Sequence, residues 1–206
     1  MYSITSYGNM IDDRVRMGAY EAALRATVRP GSTVIDLGAG TGIFSLLACR
    51  LGAARVYAIE PGSAINLARC LAYDEGLADR IECIQEVSTR VALPEPADVI
   101  VADIRGTLPI FHNSLATMAD ARTRMLAPGG AIIPQRDTLF AAVVEMPDFY
   151  STIRRPWDHP AWQLDMRAAR LSVLNSVHKV TATQAQLLSD GRLWASIDYT
   201  TVNDNA

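Results

Sequence analysis

The 206-residue sequence lacks the features of several specialised classes of protein. It has no apolar run near the roughly 20 residues that cross a bilayer, and its N-terminus lacks the apolar core of a signal peptide. The formal net charge is only −3, which argues against nucleic acid or an anionic membrane as the main partner. We therefore expect a cytoplasmic protein that binds neither nucleic acid nor membrane.

Cysteine and histidine are scarce as well. Cys49, Cys70 and Cys83 show no C-x-x-C spacing, and the three histidines are scattered. This distribution predicts reduced thiols and no metal site. Half of the residues are hydrophobic and a fifth are charged, which is typical of a soluble globular protein. The length of 206 residues is enough for one α/β domain of about 150 residues with a modest appendage.

The strongest motif that is present is a strand, a glycine turn and a helix. Thr33–Leu37 is an apolar run rich in β-branched residues, of a length typical of a buried parallel strand. Gly38, Gly40 and Gly42 then allow a sharp turn and a close approach to a ligand. Helical spacing of apolar residues begins at Ile43. The motif predicts the first βα unit of a nucleotide-binding sheet.

The spacing of the glycines indicates which nucleotide is bound. It is G-x-G-x-G rather than the G-x-G-x-x-G of dinucleotide sites, so a nicotinamide oxidoreductase is the less favoured alternative. Asp36, just before the turn, would repel a pyrophosphate but suits an amine or a cationic ligand. Glu60 ends the next predicted strand, where a carboxylate can bind ribose hydroxyls. These features predict S-adenosylmethionine, which has a ribose, an amino-acid end and no phosphate.

Helices and strands alternate over residues 1–145. The spacing of apolar residues predicts an N-terminal helix over 10–29, which places Arg16 to bind a ligand carboxylate. The later predicted elements are helix 63–75, strand 80–85, strand 97–103, helix 113–126, a turn at 127–130, strand 131–134 and strand 138–145. Together they predict an α/β fold, with a doubly wound, mostly parallel, Rossmann-like sheet that forms the cofactor-binding domain.

Residues 146–206 depart from this alternation. Their prolines and tryptophans predict an irregular connector: Pro147, Pro156, Trp157, Pro160 and Trp162. Weak alternation over 173–182 and 193–202 predicts two short strands, which must pack on the first domain or on a partner. We expect a second region, 146–206, made of a connector and a short C-terminal β appendage.

With these motifs the sequence resembles the protein arginine methyltransferase family over nearly its whole length. The resemblance rests on Met10 to Tyr20, Val34 to Ser45, Val56 to Glu60 and Leu126 to Leu139. It implies a class I S-adenosylmethionine-dependent methyltransferase. Most of the family's C-terminal β-barrel, which carries a substrate-contacting loop and the dimerisation arm, has no counterpart in this sequence.

The resemblance also implies the cofactor contacts. Arg16 would bind the methionine carboxylate, Glu60 the ribose, and Val87 with Ser88 the adenine. The other implied cofactor-binding residues are Asp36, Gly38, Ala39, Gly40, Thr41, Gly42 and Pro61. Ser88 stands where the family usually has a glutamate, so the adenine contact differs here.

The substrate loop departs from the family. A loop that opens Ser-Glu-x-x-Gly and carries a second glutamate is replaced by Ala102-Asp103-Ile104-Arg105-Gly106, with His112 at the second glutamate position. We expect Asp103 to orient the acceptor and His112 to accept its proton. The acceptor, on a small molecule or a peptide, stays open among a guanidino group, an amine and a hydroxyl.

The missing glutamates and the missing barrel leave two further alternatives for the function. Without the two glutamates and the barrel, the chain could be an inactive module that binds the cofactor and acts through a partner. For an active enzyme, a second copy of the chain or another partner chain would complete the substrate site.

Overall fold

The structure, a computed structural model, describes residues 3–111, 113–158 and 164–203. Its internal contacts divide the chain into two compact units. One unit runs to Asp137 and resumes at Ile197, and the other is Thr138–Ser196. The domain boundary expected after residue 145 stays a prediction.

The first unit is built on a sheet of five strands. These are β1 Thr33–Leu37, β2 Arg55–Ile59, β3 Ile81–Ile84, β4 Ala97–Ala102 and β5 Leu126–Ile133. Their order is β3-β2-β1-β4-β5, and every neighbouring pair is parallel. Because the order reverses beside β1, the carboxyl ends of β1 and β4 flank the point where ligands bind in such sheets. The predicted α/β, doubly wound fold is confirmed.

Five α-helices accompany this sheet among the residues that the structure describes. They are α1 Ile4–Asp12, α2 Arg14–Thr27, α3 Ile43–Arg50, α4 Ile65–Asp74 and α5 Ser114–Met125. Apolar residues of α2, α3 and α4 share one buried core with the inner strands, including Leu24, Ala48 and Ile65 from the helices and Val34 and Val56 from the strands. Val34 and Val56 are register partners on one face of the sheet, and burial of these apolar side chains against the helices stabilises the fold.

The helix predicted over 10–29 is confirmed for α2, but its predicted start is wrong, because the chain breaks at Asp13 between α1 and α2. Asp13 is extended, with ψ 90°, and its carboxylate accepts a hydrogen bond from the Arg16 backbone N–H at 3.1 Å. An aspartate that bonds the free N–H groups of a helix start competes with continuation of the helix. Apolar spacing alone did not reveal this competition.

The turn predicted at 127–130 is also wrong, since these residues belong to β5. Pairing of β5 with β4 is irregular, with a register shift between Ala97 and Val99. Gly129 has φ +78°, and a Cβ atom on Gly130 would lie 2.9 Å from the Asp98 carbonyl oxygen. The glycines therefore accommodate a bulge, which keeps the strand paired across a segment with the composition of a turn.

The second unit contains α6 Pro147–Asp158 and α7 Arg167–Leu174 among the described residues. The prediction of an irregular connector is therefore wrong over α6, which is a helix. Pro147 is the first residue of that helix, where a missing N–H costs nothing, and Pro156 falls in its last turn. Pro160 and Trp162 lie outside the described residues.

Strands β6 Arg136–Ala141 and β7 Arg192–Asp198 form a two-stranded sheet. The strand predicted over 193–202 is confirmed as β7, although it ends at Asp198. The strand predicted over 173–182 is wrong, because this segment begins inside α7. The strand predicted over 138–145 corresponds to β6, which begins two residues earlier and ends four residues earlier. Across the described part of the chain, no helix combines the length and apolar character needed to cross a membrane.

Candidate cofactor site and active site

A cavity of about 490 Å³ lies in the first unit, at the carboxyl ends of the central strands. Its volume is within the roughly 300–1,000 Å³ typical of small-ligand sites. Residues that follow β1, β2 and β4 form part of its wall, among them Ala39, Glu60 and Asp103. Residues of α1 and α2, such as Met10 and Arg16, form another part. A concave site of small-ligand size therefore lies at the reversal point of the sheet.

The glycine turn after β1 is closely covered. Gly38, Gly40 and Gly42 all have positive φ, at 72°, 53° and 78°. A Cβ atom on Gly40 would overlap the Tyr7 ring, and one on Gly42 would lie 2.7 Å from the Ala68 Cβ. Glycine is therefore required both by backbone conformation and by space. Gly38, Ala39 and Thr41 line the cavity.

Tyr7 is a site residue that the sequence motifs do not indicate. It belongs to α1, lines the cavity and covers Gly40. Sequence patterns placed the start of the N-terminal helix at Met10, after this residue. An N-cap pattern would have indicated the earlier start, since the Ser3 side chain accepts a hydrogen bond from the Ser6 N–H.

Asp36 caps the helix that follows the glycine turn. Its side chain is buried, and Oδ2 accepts hydrogen bonds from the backbone N–H and the hydroxyl of Ser45, at 2.9 and 2.7 Å. Ser45 lies in the first turn of α3, whose N-cap residue Gly42 has no side chain to cap the helix. Asp36 therefore supplies the cap from β1. Burial raises the pKa of Asp36 to about 6, against the opposing effect of the Ser45 hydrogen bonds.

Glu60 joins two turns. Its Oε2 accepts a hydrogen bond from the Gly40 N–H at 3.1 Å, and Oε1 accepts one from the Gly62 N–H at 2.7 Å. Glu60, Pro61 and Gly62 all line the cavity. Because each carboxylate oxygen can accept more than one hydrogen bond, Glu60 keeps acceptor capacity for a ligand hydroxyl.

Arg16 and Asp103 come together in the same cavity. The Arg16 Nη1 lies 3.4 Å from the Asp103 Oδ2, and the two side chains are 26% and 16% exposed. This ion pair joins the start of α2 to the end of β4. Sequence motifs predict a role for each residue but do not indicate that they pair.

Arg105 extends this pair into a network that sequence patterns missed. Its Nη2 lies 3.3 Å from the Asp103 Oδ1 and donates to the Tyr20 hydroxyl at 3.1 Å, and its Nη1 donates to the Asp137 Oδ1 at 2.6 Å. The Tyr199 hydroxyl donates to the other Asp137 oxygen, at 2.7 Å. Burial opposes the charge of Arg105, yet the groups around it, above all Tyr20 and Asp137, raise the pKa of its guanidinium.

Val87 and Ser88 are not among the described residues that line this cavity. Val87 is exposed, and Ser88 is buried at the start of the short 3₁₀ turn Ser88–Arg90 after β3. Arg124 of α5 holds that turn by donating to the Ser88 and Val91 carbonyl oxygens, each at 3.0 Å. Their contact with adenine stays a prediction, and His112 lies outside the described residues.

Comparison with known proteins agrees with this architecture. A family model for ribosomal protein L11 methyltransferase (PrmA) matches residues 20–135, more than half of the chain. Protein arginine N-methyltransferase 6 of Danio rerio is 32% identical over 97% of this chain and 59% of its own length. The chain belongs to the protein arginine methyltransferase family. A further relative, probable protein arginine N-methyltransferase 6 of Arabidopsis thaliana, is 33% identical over 77% of this chain and 37% of its own length.

Solved structures of this family share the fold. The Trypanosoma brucei PRMT1 enzyme-prozyme heterotetrameric complex with AdoHcy has a TM-score of 0.83 at 23% identity, covering 95% of this chain and 62% of that one. The PRMT6-SAH structure has a TM-score of 0.72 at 20% identity, covering 97% and 67%. The chain spans between about a quarter and three-fifths of the length of the curated relatives it matches.

Proposed function

We propose that this chain is an S-adenosylmethionine-dependent methyltransferase that binds its cofactor in the cavity beside β1 and β2. The observation that carries the proposal is Glu60, whose two oxygens join the glycine turn to the turn after β2 while its side chain lines the cavity. The AdoHcy and SAH in the trypanosome and PRMT6 structures support the same cofactor class.

The residues that line the cavity fit this cofactor at both ends. Arg16 offers a guanidinium for the methionine carboxylate, a pairing suited to two parallel hydrogen bonds. Glu60 offers carboxylate oxygens for the ribose hydroxyls. Between them, Ala39 and Phe44 give an apolar wall, and the nearby glycine turn has no side chains in the way.

When bound, S-adenosylmethionine supplies a methyl group on a positively charged sulfur. The lone pair of the acceptor's nitrogen or oxygen forms a bond to the methyl carbon, and the carbon–sulfur bond breaks with its electron pair going to sulfur. Asp103, at the end of β4 and in the cavity wall, would orient the acceptor. We propose His112 as the group that takes the acceptor's proton.

The test is transfer of label from methyl-labelled S-adenosylmethionine to a panel of acceptors: free arginine, arginine-rich peptides, small amines and phenols. We expect label in at least one acceptor, with an equal amount of S-adenosylhomocysteine formed. Glu60→Ala should lose most of this transfer. Cofactor binding with no transfer to any acceptor would instead support an inactive module.

A further inference from the structure

Arg105 brings a guanidinium group of the chain itself to the carboxylate that we propose for the acceptor. The Arg105 Nη2 is 3.3 Å from the Asp103 Oδ1, within the loop that follows β4. The Arg105 side chain is 28% exposed, and its Nε atom is buried with no hydrogen-bond partner among the described residues. An internal cation is therefore paired with the carboxylate that a cationic acceptor would need.

Both oxygens of Asp103 are already paired with cations. Oδ1 faces Arg105, and Oδ2 lies 3.4 Å from Arg16. Asp103 is 16% exposed, so solvent screens these pairs less than it screens pairs on the open surface. A carboxylate held between two guanidinium groups has little negative charge left to attract a third cation.

Asp137 does not restore the missing negative charge. One of its oxygens accepts from Arg105, and the other accepts from the Tyr199 hydroxyl. The two arginines and two aspartates of this network balance in charge. Glu60, the other acidic residue in the cavity wall, is on the turn after β2, where its oxygens accept backbone N–H groups.

Cofactor binding would leave Arg105 as the main partner of Asp103. Arg16 is the residue proposed to bind the methionine carboxylate, which would draw its guanidinium from Asp103. Arg105 keeps its position through Asp137 and the Tyr20 hydroxyl. The neutralisation of Asp103 therefore persists in the state that reacts.

We propose that Arg105 is a specificity-determining residue that excludes guanidinium and other cationic acceptors and favours an uncharged one, a hydroxyl or a neutral nitrogen. This inference rests on the proposed methyltransferase function. The uncharged acceptor's lone pair forms the bond to the methyl carbon, and the carbon–sulfur electron pair returns to sulfur. The proton released from the acceptor passes to the base, for which His112 is proposed.

The test is calorimetric titration of the full chain, saturated with S-adenosylhomocysteine, with N-acetylarginine amide and with N-acetyltyrosine amide. Wild-type protein should bind the arginine probe at least about tenfold more weakly than Arg105→Gln does, because removing the internal cation frees Asp103. Arg105→Lys should keep the wild-type preference. Arg50→Gln, which removes an exposed arginine paired with Glu75, should also behave as wild type.

The outcomes separate the two proposals. Failure of S-adenosylhomocysteine to bind would reject the proposed function. Equal binding of the arginine probe by wild type and by Arg105→Gln, with the cofactor product bound, would reject the role of Arg105 alone. A second measurement needs no variant: labelled methyl should pass from wild type to the tyrosine probe rather than to the arginine probe, and the reverse would overturn the inference.

Discussion

Arg16 at the start of α2 and Asp103 at the end of β4 lie 3.4 Å apart in the wall of one cavity. The pair links the proposed cofactor end of the site to the proposed acceptor end. A ligand carboxylate that binds Arg16 would compete with Asp103 for the same guanidinium. Cofactor binding would therefore change the pairing of Asp103, leaving Arg105 as its main partner.

Replacing Arg16 should weaken cofactor binding. Arg16→Gln removes a charge-assisted pairing with the methionine carboxylate, which is typically worth about 1.5–3 kcal/mol, or roughly a ten- to hundredfold loss of affinity. Isothermal titration with S-adenosylmethionine measures the effect. The matched control is Arg25→Gln on the same helix, an exposed residue paired with Glu21. Similar affinities for both variants would count against Arg16 as a ligand.

Replacing Glu60 should affect both the cofactor and the glycine turn. Glu60→Ala removes the acceptor of the Gly40 and Gly62 N–H groups together with the ribose contact. We expect the binding free energy of S-adenosylmethionine to weaken by about 1.5–3 kcal/mol, and the free energy of unfolding to fall as well. Titration and urea unfolding measure the two effects. Glu75→Ala, which removes an exposed carboxylate paired with Arg50, should change neither by a comparable amount.

Asp36 should make stability depend on pH. Burial raises its pKa from 3.8 to about 6, so the folded state binds the proton more tightly than the unfolded state does. Protonation of Asp36 therefore stabilises the folded state. This contribution to the free energy of unfolding is complete below the unfolded pKa of 3.8 and is lost as the pH rises through about 6. Asp36→Asn keeps an acceptor for Ser45 but cannot titrate.

Urea unfolding across this range tests the Asp36 prediction. The free energy of unfolding of wild type minus that of Asp36→Asn should rise as the pH falls from about 7 to about 4. It should stay level above about pH 7. A difference that is constant across the whole range would show that the Asp36 carboxylate does not titrate as its burial requires.

Arg124 should position the turn proposed to contact adenine. Arg124→Gln loses the hydrogen bonds to the Ser88 and Val91 carbonyl oxygens, so we expect a lower affinity for S-adenosylhomocysteine. Arg122→Gln is a stringent control on the same helix, because Arg122 also donates to two carbonyl oxygens, those of Tyr199 and Val202. Both variants should lose stability, and only Arg124→Gln should lose affinity. Equal affinities would place adenine elsewhere.

Much of the central fold could be predicted from local sequence. β1 matches its predicted bounds, because a β-branched apolar run is followed by glycines that cannot continue the strand. α3 and β2 agree within a residue or two for similar reasons. Predictions failed where one residue type has two structural uses. Asp13 caps a helix inside a helical pattern, Gly129 lies in a bulged strand, and Pro147 starts a helix.

The site was predictable only in part, for a different reason. Arg16, Glu60 and Asp103 lie in recognisable motifs and line one cavity. The pairing of Arg105 with Asp137 spans 32 residues, and nothing in local periodicity reports it. Tyr199 reaches the same network from the far end of the chain. Contacts of this kind depend on the tertiary arrangement, which sequence spacing does not specify.

The most direct test of the account is calorimetric titration of the purified chain with S-adenosylmethionine and, separately, with NAD. We predict that S-adenosylmethionine binds at one site per chain, that Arg16→Gln and Glu60→Ala weaken this binding, and that NAD does not compete. Binding of NAD in preference to S-adenosylmethionine would contradict the central claim. So would S-adenosylmethionine binding that neither substitution weakens, since the ligand would then lie outside this cavity.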